Sequence, residues 1–357
     1  MADPSEPVKP IRKKVSPSTM EDVARAAGVS RALVSLVMRD SPLVSADRRK
    51  RVLEAAAKLG YRPNAMARSL ASRKTGIIGV LLNDLHNPFF AEIMDGIEEV
   101  AEREGYRLLL STGGRREERE ATALEAMLEF RVDGVIMLSP LLSSAVVRRA
   151  AETTPVVVLS RTMRIQDVDT VVTDEAFGAQ LAVQHLIGLG HVRIAHIDGG
   201  EYPSGPPRRR GYERAMRAAG LKSVVIPGDF SENGGTRAAE EILKMEELPT
   251  AVFVANDLAA AGAMARLQEA GLRIPDDMSI VGFDNTSLAS LGQISLTSVN
   301  QPREEMGELA VRTILERIRG TRTETAHHLT TPTLVVRRST AHPPVSSGWE
   351  EDAAGLA

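Results

Sequence analysis

Arg31, Ala32 and Leu36 stand early in a short helical run, where side chains can reach base edges in a DNA major groove. A guanidinium there can pair bidentately with a guanine, and a leucine can touch a thymine methyl. Thr19, Ser30, Ser35 and Arg39 are placed for phosphate oxygens. The segment that positions them, TMEDVARAAGVSRALVSLVMRD over residues 19–40, reads as two helices joined by a tight turn. Thr19 and Asp22 have the spacing of a capping box, and Gly28 supplies the backbone freedom of the turn. Ser30 caps the second helix, and Val34 and Val37 hold it on a core. A third helix is expected over Ser45 to Gly60, with Val52, Ala55, Ala56 and Leu59 as its apolar stripe. Arg48, Arg49, Lys50 and Arg51 crowd its first turns against the helix dipole, a placement that phosphate contacts would explain.

Charge is divided along the chain. Residues 1–75 hold 16 Lys and Arg against 7 Asp and Glu, whereas the remaining 282 hold 28 against 40. A basic head on an acidic body points to a polyanion-binding module joined to something else, and nucleic acid is the natural polyanion. No run resembles an amphipathic anchor or a ~20-residue apolar span, so no membrane partner is expected. Residues 1–17 lack an apolar signal core, and the chain has no cysteine. A cytoplasmic protein without disulfides is therefore expected. The seven histidines include no H-E-x-x-H, and His185, His191 and His196 fall on a helix end, a turn and a strand. They read as structural, and neither a metal nor a cofactor is expected.

After a disordered tail over 1–17 and a head over 18–62, Pro63 interrupts the helical pattern. Asn64 can cap a very short helix to about Ala71, too short to hold its fold alone in water. Residues 63–75 therefore read as a hinge. From Gly76 the pattern changes to strand–helix units. Ten Val/Ile/Leu-rich runs begin with IIGVLL at 77–82 and end with LTSV at 296–299. Such runs indicate parallel strands covered on both faces, and ten of them indicate two doubly wound lobes. HHLTTPTLVVRRS at 327–339 supplies a late strand or crossing. The fold class expected is α/β, with a helix-turn-helix head and hinge helix before a bilobed core of parallel sheets.

The whole chain from about 18 to 340 resembles the lactose-repressor (LacI/GalR) family of bacterial transcription regulators. Met20, Asp22, Val23, Ala24, Ala27, Gly28, Val29, Ser30, Val34 and Ser35 carry the head motif, and Gly60 through Leu70 the hinge motif. N-P-F-F (87–90), R-V-D-G-V-I (131–136), R-R-G-Y (209–212), A-N-D (255–257) and V-G-F-D (281–284) follow in order. The resemblance implies a periplasmic-binding-protein-like core that binds a small-molecule effector and dimerises. It places lobe 1 at about 76–173 and 303–330, lobe 2 at about 174–299 and 331–340, and a tail over 341–357. Relatives often carry Thr, Arg and Asn where this chain has Leu33, Leu36 and Arg39, so the operator half-site does not transfer.

In the hinge, Leu70 matches the residue that relatives wedge between base pairs, with Asn64, Ala67 and Arg68 lining the same minor groove. The effector cleft is expected at the C-terminal ends of the strands. Asn83, Asp84, Phe89 and Phe90 follow the first core strand, with one Phe expected in the core and the other in the pocket. Arg208 has the spacing of the family's ligand arginine, Asn256 and Asp284 end two strands, and Ser160 lies where some relatives place an acidic ligand residue. Guanidinium, amide and carboxylate together suit vicinal hydroxyls. Asp257 is expected to cap the following helix.

The leading reading is a homodimeric regulator, most simply a repressor, whose two heads bind a pseudo-palindromic double-stranded operator under control of a sugar or sugar-like effector. A solute-binding receptor shares the core, but residues 1–75 argue against it. An enzyme is not expected. G-x-x-x-x-G-K-[ST], G-x-G-x-x-G and G-x-S-x-G are all missing.

Overall fold

The computed structural model describes residues 18–38, 40–61 and 74–344. The chain divides into two compact units, residues 1–75 and 76–357. In the head, α1 (Met20–Ala27), α2 (Arg31–Met38) and α3 (Ala46–Lys58) enclose a small core of Val23, Ala24, Val34, Val37, Val44, Val52 and Ala56. Thr19 Oγ1 accepts from the Asp22 amide at 3.2 Å, and the Asp22 carboxylate accepts from the Thr19 amide at 2.9 Å. This reciprocal cap satisfies two donors that the first helical turn would otherwise leave bare. Gly28 ends α1 at φ +65°, a left-handed conformation that glycine adopts without a Cβ penalty. The expected short helix after Asn64 falls outside the described residues.

The second unit holds two six-stranded sheets. In lobe 1, β1 (Ile77–Leu82), β2 (Arg107–Thr112), β3 (Gly134–Leu138), β4 (Val156–Leu159) and β5 (Val168–Thr173) pair in parallel. In lobe 2, β6 (Ile194–Ile197), β7 (Val224–Ile226), β8 (Ala251–Val254), β9 (Ser279–Asp284) and β10 (Thr297–Asn300) do the same. Each of the ten apolar runs therefore overlaps a strand. The late segment makes two more. β11 (His327–Thr330) joins lobe 1 in parallel, and β12 (Thr333–Val335) pairs antiparallel with β10.

The strand orders are β11-β5-β4-β3-β1-β2 and β12-β10-β9-β8-β6-β7. The chain passes between lobes three times: after β5, after β10 and between β11 and β12. All three crossings sit toward one edge of each sheet, and β2 and β7 are the edges farthest from them.

Helices cover both sheets. α4 (Pro88–Arg103) and α5 (Glu117–Glu129) follow β1 and β2, and α6 (Ser144–Ala151) follows β3. The buried Glu120 carboxylate accepts from the Leu141 amide at 2.7 Å and pins the loop after β3. In lobe 2, α7 (Glu175–Gly188) packs along α8 (Gly205–Ala218), with α9 (Glu232–Leu243), α10 (Asp257–Glu269) and the single turn α11 (Ser287–Ser290) beyond. α12 (Arg303–Arg319) returns to lobe 1 and packs on α4. Gly211 makes the α7–α8 approach possible, because a Cβ there would lie 2.3 Å from the Ala176 carbonyl oxygen.

Gly211→Ala is therefore expected to force α8 off α7 and destabilise the core by about 1–3 kcal/mol. Denaturant unfolding of the full chain measures this. Unchanged stability would show that the two helices yield freely.

Candidate functional site

On the head, Arg31 and Ala32 are exposed on the first turn of α2, and Leu36 is half-buried against the head core. Ser30 Oγ accepts from the Leu33 amide at 3.3 Å and so caps α2. Ser35 is half-buried. The Thr19 hydroxyl is already committed, donating to Asp22 at 2.6 Å and accepting from its amide, so its part is the cap rather than a free phosphate donor. Arg48, Lys50 and Arg51 are exposed on α3, whereas Arg49 turns inward to Asp40 and the Ser41 carbonyl. Arg39, Asn64, Ala67, Arg68 and Leu70 lie outside the described residues.

In the core, loops from the C-terminal strand ends of both lobes meet around a cleft of about 490 Å³ of atom-free space, part of it open to solvent. Lobe 1 contributes Asn83, Asp84, Asn87, Phe89, Phe90, Arg115, Ser139 and Ser160. Lobe 2 contributes Tyr202, Ser204, Arg208, Phe230 and Asp284. Asn83 donates to the Ser139 carbonyl at 3.1 Å, while its Oδ1 and the Ser160 hydroxyl are buried without a hydrogen-bond partner among the described residues. Phe89 and Phe90 meet edge to face at 5.3 Å. Both line the cleft and both belong to the lobe 1 core, so the expected division of labour between them does not occur.

At the cleft floor Arg208 is 3% exposed. Its guanidinium donates to Glu175 at 2.5 Å, to the Ala255 carbonyl, and to Asp284 at 3.4 Å, and it lies 3.6 Å from the centroid of the Phe283 ring. All these partners belong to lobe 2, so the Arg208–Asp284 pair does not bridge the lobes. Gln301 donates to Asp284 at 2.7 Å.

Asn256 does not line the cleft. Its Oδ1 caps α10 by accepting from the Ala259 amide at 3.0 Å, and its Nδ2 donates to the Phe230 carbonyl at 3.2 Å. The capping role expected of Asp257 thus belongs to Asn256. Asp257 is fully buried and instead accepts from Ser298 at 2.5 Å and from the Thr286 amide at 2.7 Å.

Glu175 and Asp284 contact one almost fully buried cation, and the Asp257 charge acts on it from farther off. Burial pushes Asp284 up to about 8, with the charges of Asp257 and Glu175 adding to the effect and Arg208 opposing it. Glu175 holds the closer ion pair, and the direction of the Asp284 shift favours its protonated form. A neutral carboxyl can donate as well as accept. Together with the Asn83 amide, the Ser139 and Ser160 positions and the aromatic walls, it fits an uncharged polyhydroxy compound. Arg115, Tyr202 and Phe230 were not anticipated, yet each follows a strand, and the strand-end rule would have pointed to those loops.

Residues 19–64 match the bacterial regulatory proteins of the lacI family, and residues 183–340 match a periplasmic binding protein-like domain. The chain is 39% identical over 300 residues to catabolite control protein A of Priestia megaterium, covering 82% of this chain and 90% of that protein. It belongs to the LacI family. This LacI-family chain also superimposes on the lac repressor dimer bound to operator and the anti-inducer ONPF. That match has a TM-score of 0.82 and 31% identity, and it covers 91% of this chain and 100% of the other. The CelR–cellobiose complex matches with a TM-score of 0.69 and 33% identity, over 90% and 99% of the two chains. The protein is thus a DNA-binding transcription regulator with a LacI-type head and core, and the reading as a transport receptor is not favoured. Among the described residues no helix is long and apolar enough to cross a membrane.

The raised Asp284 value has a defined sign. Between the ordinary 3.8 and about 8 the folded chain keeps a proton that the unfolded chain has lost, so stability falls as pH rises through that window. In Asp284→Asn the melting temperature should fall less steeply from about pH 5 to about pH 7.5 than in the parent. Equal slopes in scanning calorimetry would mean that Asp284 is already ionised.

Proposed function

We propose that this chain is an effector-controlled repressor that binds a pseudo-palindromic operator as a homodimer and responds to a sugar or sugar-like molecule in the interlobe cleft. The observation that carries this reading is the presence, in one chain, of a capped helix-turn-helix exposing Arg31 and a strand-end cleft floored by Arg208 and Asp284. The lac repressor bound to operator and CelR bound to cellobiose support the two halves of the reading separately. A protein that reads operator DNA works in the cytoplasm. No catalytic step is assigned to the cleft.

Arg31, Ala32 and Leu36 read bases, while Ser30, Ser35, Arg39 and the exposed cations of α3 meet phosphates. Asn64, Ala67, Arg68 and Leu70 engage the minor groove at the operator centre. A ligand that prefers one lobe arrangement alters how the two hinges pair on DNA, and that difference in preference is the regulatory signal.

Selection from random duplexes should yield a two-fold operator. On it, Arg31→Ala should weaken binding by about 1–3 kcal/mol and relax preference at one base pair of each half-site. Leu70→Ala should weaken binding while leaving effector affinity unchanged. Affinity should drop by about a thousandfold between roughly 50 and 200 mM salt, as several phosphate contacts are lost. An operator affinity flat in salt by anisotropy, or an Arg31→Ala variant with parental sequence preference, would refute the assigned surface.

A further inference from the structure

We infer that Arg115 is the latch of the interlobe cleft, a positioning residue that holds the two lobes together at the mouth and sets how long an effector is retained. The inference concerns regulation of the cleft assigned above and rests on that assignment for its effector arm alone.

Arg115 stands in the loop after β2, and its own backbone belongs firmly to lobe 1. Its amide donates to the Asn83 carbonyl at 3.0 Å. The preceding Gly114 amide donates to Thr112 Oγ1 at 3.1 Å, and Arg115 itself is held at φ +63°. That backbone is sparsely populated for a residue with a Cβ and persists only where its surroundings enforce it. The side chain, however, belongs to lobe 2. Nε donates to Tyr202 Oη at 3.2 Å, the guanidinium lies 4.7 Å from the Tyr202 ring centroid, and a terminal nitrogen donates to the Asp229 carbonyl. The Asp229 carboxylate is engaged elsewhere, by Ser231 and Arg237, which leaves its backbone oxygen for the latch. Asp84 stands 3.8 Å away on the lobe 1 side and keeps the cation partly neutralised without pulling it back.

Sheet order shows why this contact outweighs the other ties between lobes. Ser204 to the Ser160 carbonyl (3.4 Å) lies beside the crossing after β5, and Glu92 to the Ser287 amide (2.7 Å) lies beside the crossing after β10, where Glu92 also pairs with Arg303. Both ties are near the hinge. Arg115 follows β2 and Asp229 follows β7, the two edge strands farthest from every crossing. At about 4.8 Å per strand, β2 lies about 20 Å from β5. An opening of about 10° would move that edge by about 3.5 Å, enough to break every hydrogen bond of the latch and few near the hinge. The stack continues inward, since Tyr202 meets Phe230 edge to face at 6.1 Å and Phe230 lies 5.4 Å from the Arg208 guanidinium. The latch therefore also orients the aromatic wall of the cleft.

The chain contains no cysteine, so Glu118→Cys in lobe 1 and Asn233→Cys in lobe 2, both at exposed positions, give a unique pair of spin-label sites on the full-length protein. Pulsed-EPR distances without sugar should lengthen by about 3 Å or more and broaden in Arg115→Ala, consistent with the lever. Tyr202→Phe keeps the ring and loses only the hydroxyl, so it should give a smaller shift in the same direction. Should Arg115→Ala fail to fold by circular dichroism, Tyr202→Phe carries the test. Arg116→Ala, on the exposed neighbouring residue, should leave the distribution unchanged. Distributions for Arg115→Ala and Tyr202→Phe that superimpose on the parent would overturn the latch. In stopped-flow with cellobiose as probe, dissociation should accelerate by about tenfold in Arg115→Ala, the equivalent of about 1.4 kcal/mol. A lengthened EPR distance with no saccharide binding would keep the latch and refute the effector assignment. Saccharide binding with unchanged EPR distances would do the reverse.

Discussion

The guanidinium of Arg208 is almost wholly withdrawn from solvent, and much of lobe 2 is arranged around pairing it. Leaving such a charge unpaired in the interior costs several kcal/mol, so its pairs and hydrogen bonds must converge with good geometry. They come from three separate elements: Glu175 at the start of α7, the Ala255 carbonyl after β8, and Asp284 at the end of β9. The Phe283 ring covers one face of the cation. Close packing of α7 on α8 at Gly211 keeps Glu175 and Arg208 within reach of each other. The cleft floor is therefore rigid and has its polar groups fixed before any ligand arrives, which favours selective recognition of hydroxyl patterns.

The walls are set differently. Lobe 1 presents its strand ends through loops that are themselves pinned, with Asn83 on the Ser139 carbonyl and Glu120 beneath Leu141. The two halves of the cleft are each firm, and the freedom between them lies in three chain crossings grouped toward one edge. Such a design suits rotation of one firm body against another, the kind of two-state change that can be transmitted along a chain.

What could be read from sequence divides along the range of the interaction responsible. The capping box at Thr19 and Asp22, the turn at Gly28 and the buried strands were readable because periodicity and local hydrogen bonding set them within a few residues. Asn256 and Asp257 were exchanged because both are good caps and helix starts shift by one residue on subtle grounds. The partners of Arg115 were not readable at all. Tyr202 is 87 residues away and Asp229 is 114 away, and only the placement of β2 and β7 at the far edges of their separate sheets brings these loops together. Phe89 and Phe90 fell between these cases. Their position after β1 was evident, but adjacent residues at the start of a helix can both reach the core while still walling a cleft.

Coupling between cleft occupancy and DNA binding is the claim on which the functional account depends, and linkage gives it a stringent test. Calorimetric titration of cellobiose, or of whichever saccharide shifts the melting temperature most, can be run on the full chain with and without saturating operator. The saccharide's effect on operator affinity is then measured independently by anisotropy. The account predicts two altered affinities that change by the same factor and in the same direction. Saccharide binding that is indifferent to operator, or an operator affinity indifferent to saccharide, would contradict it.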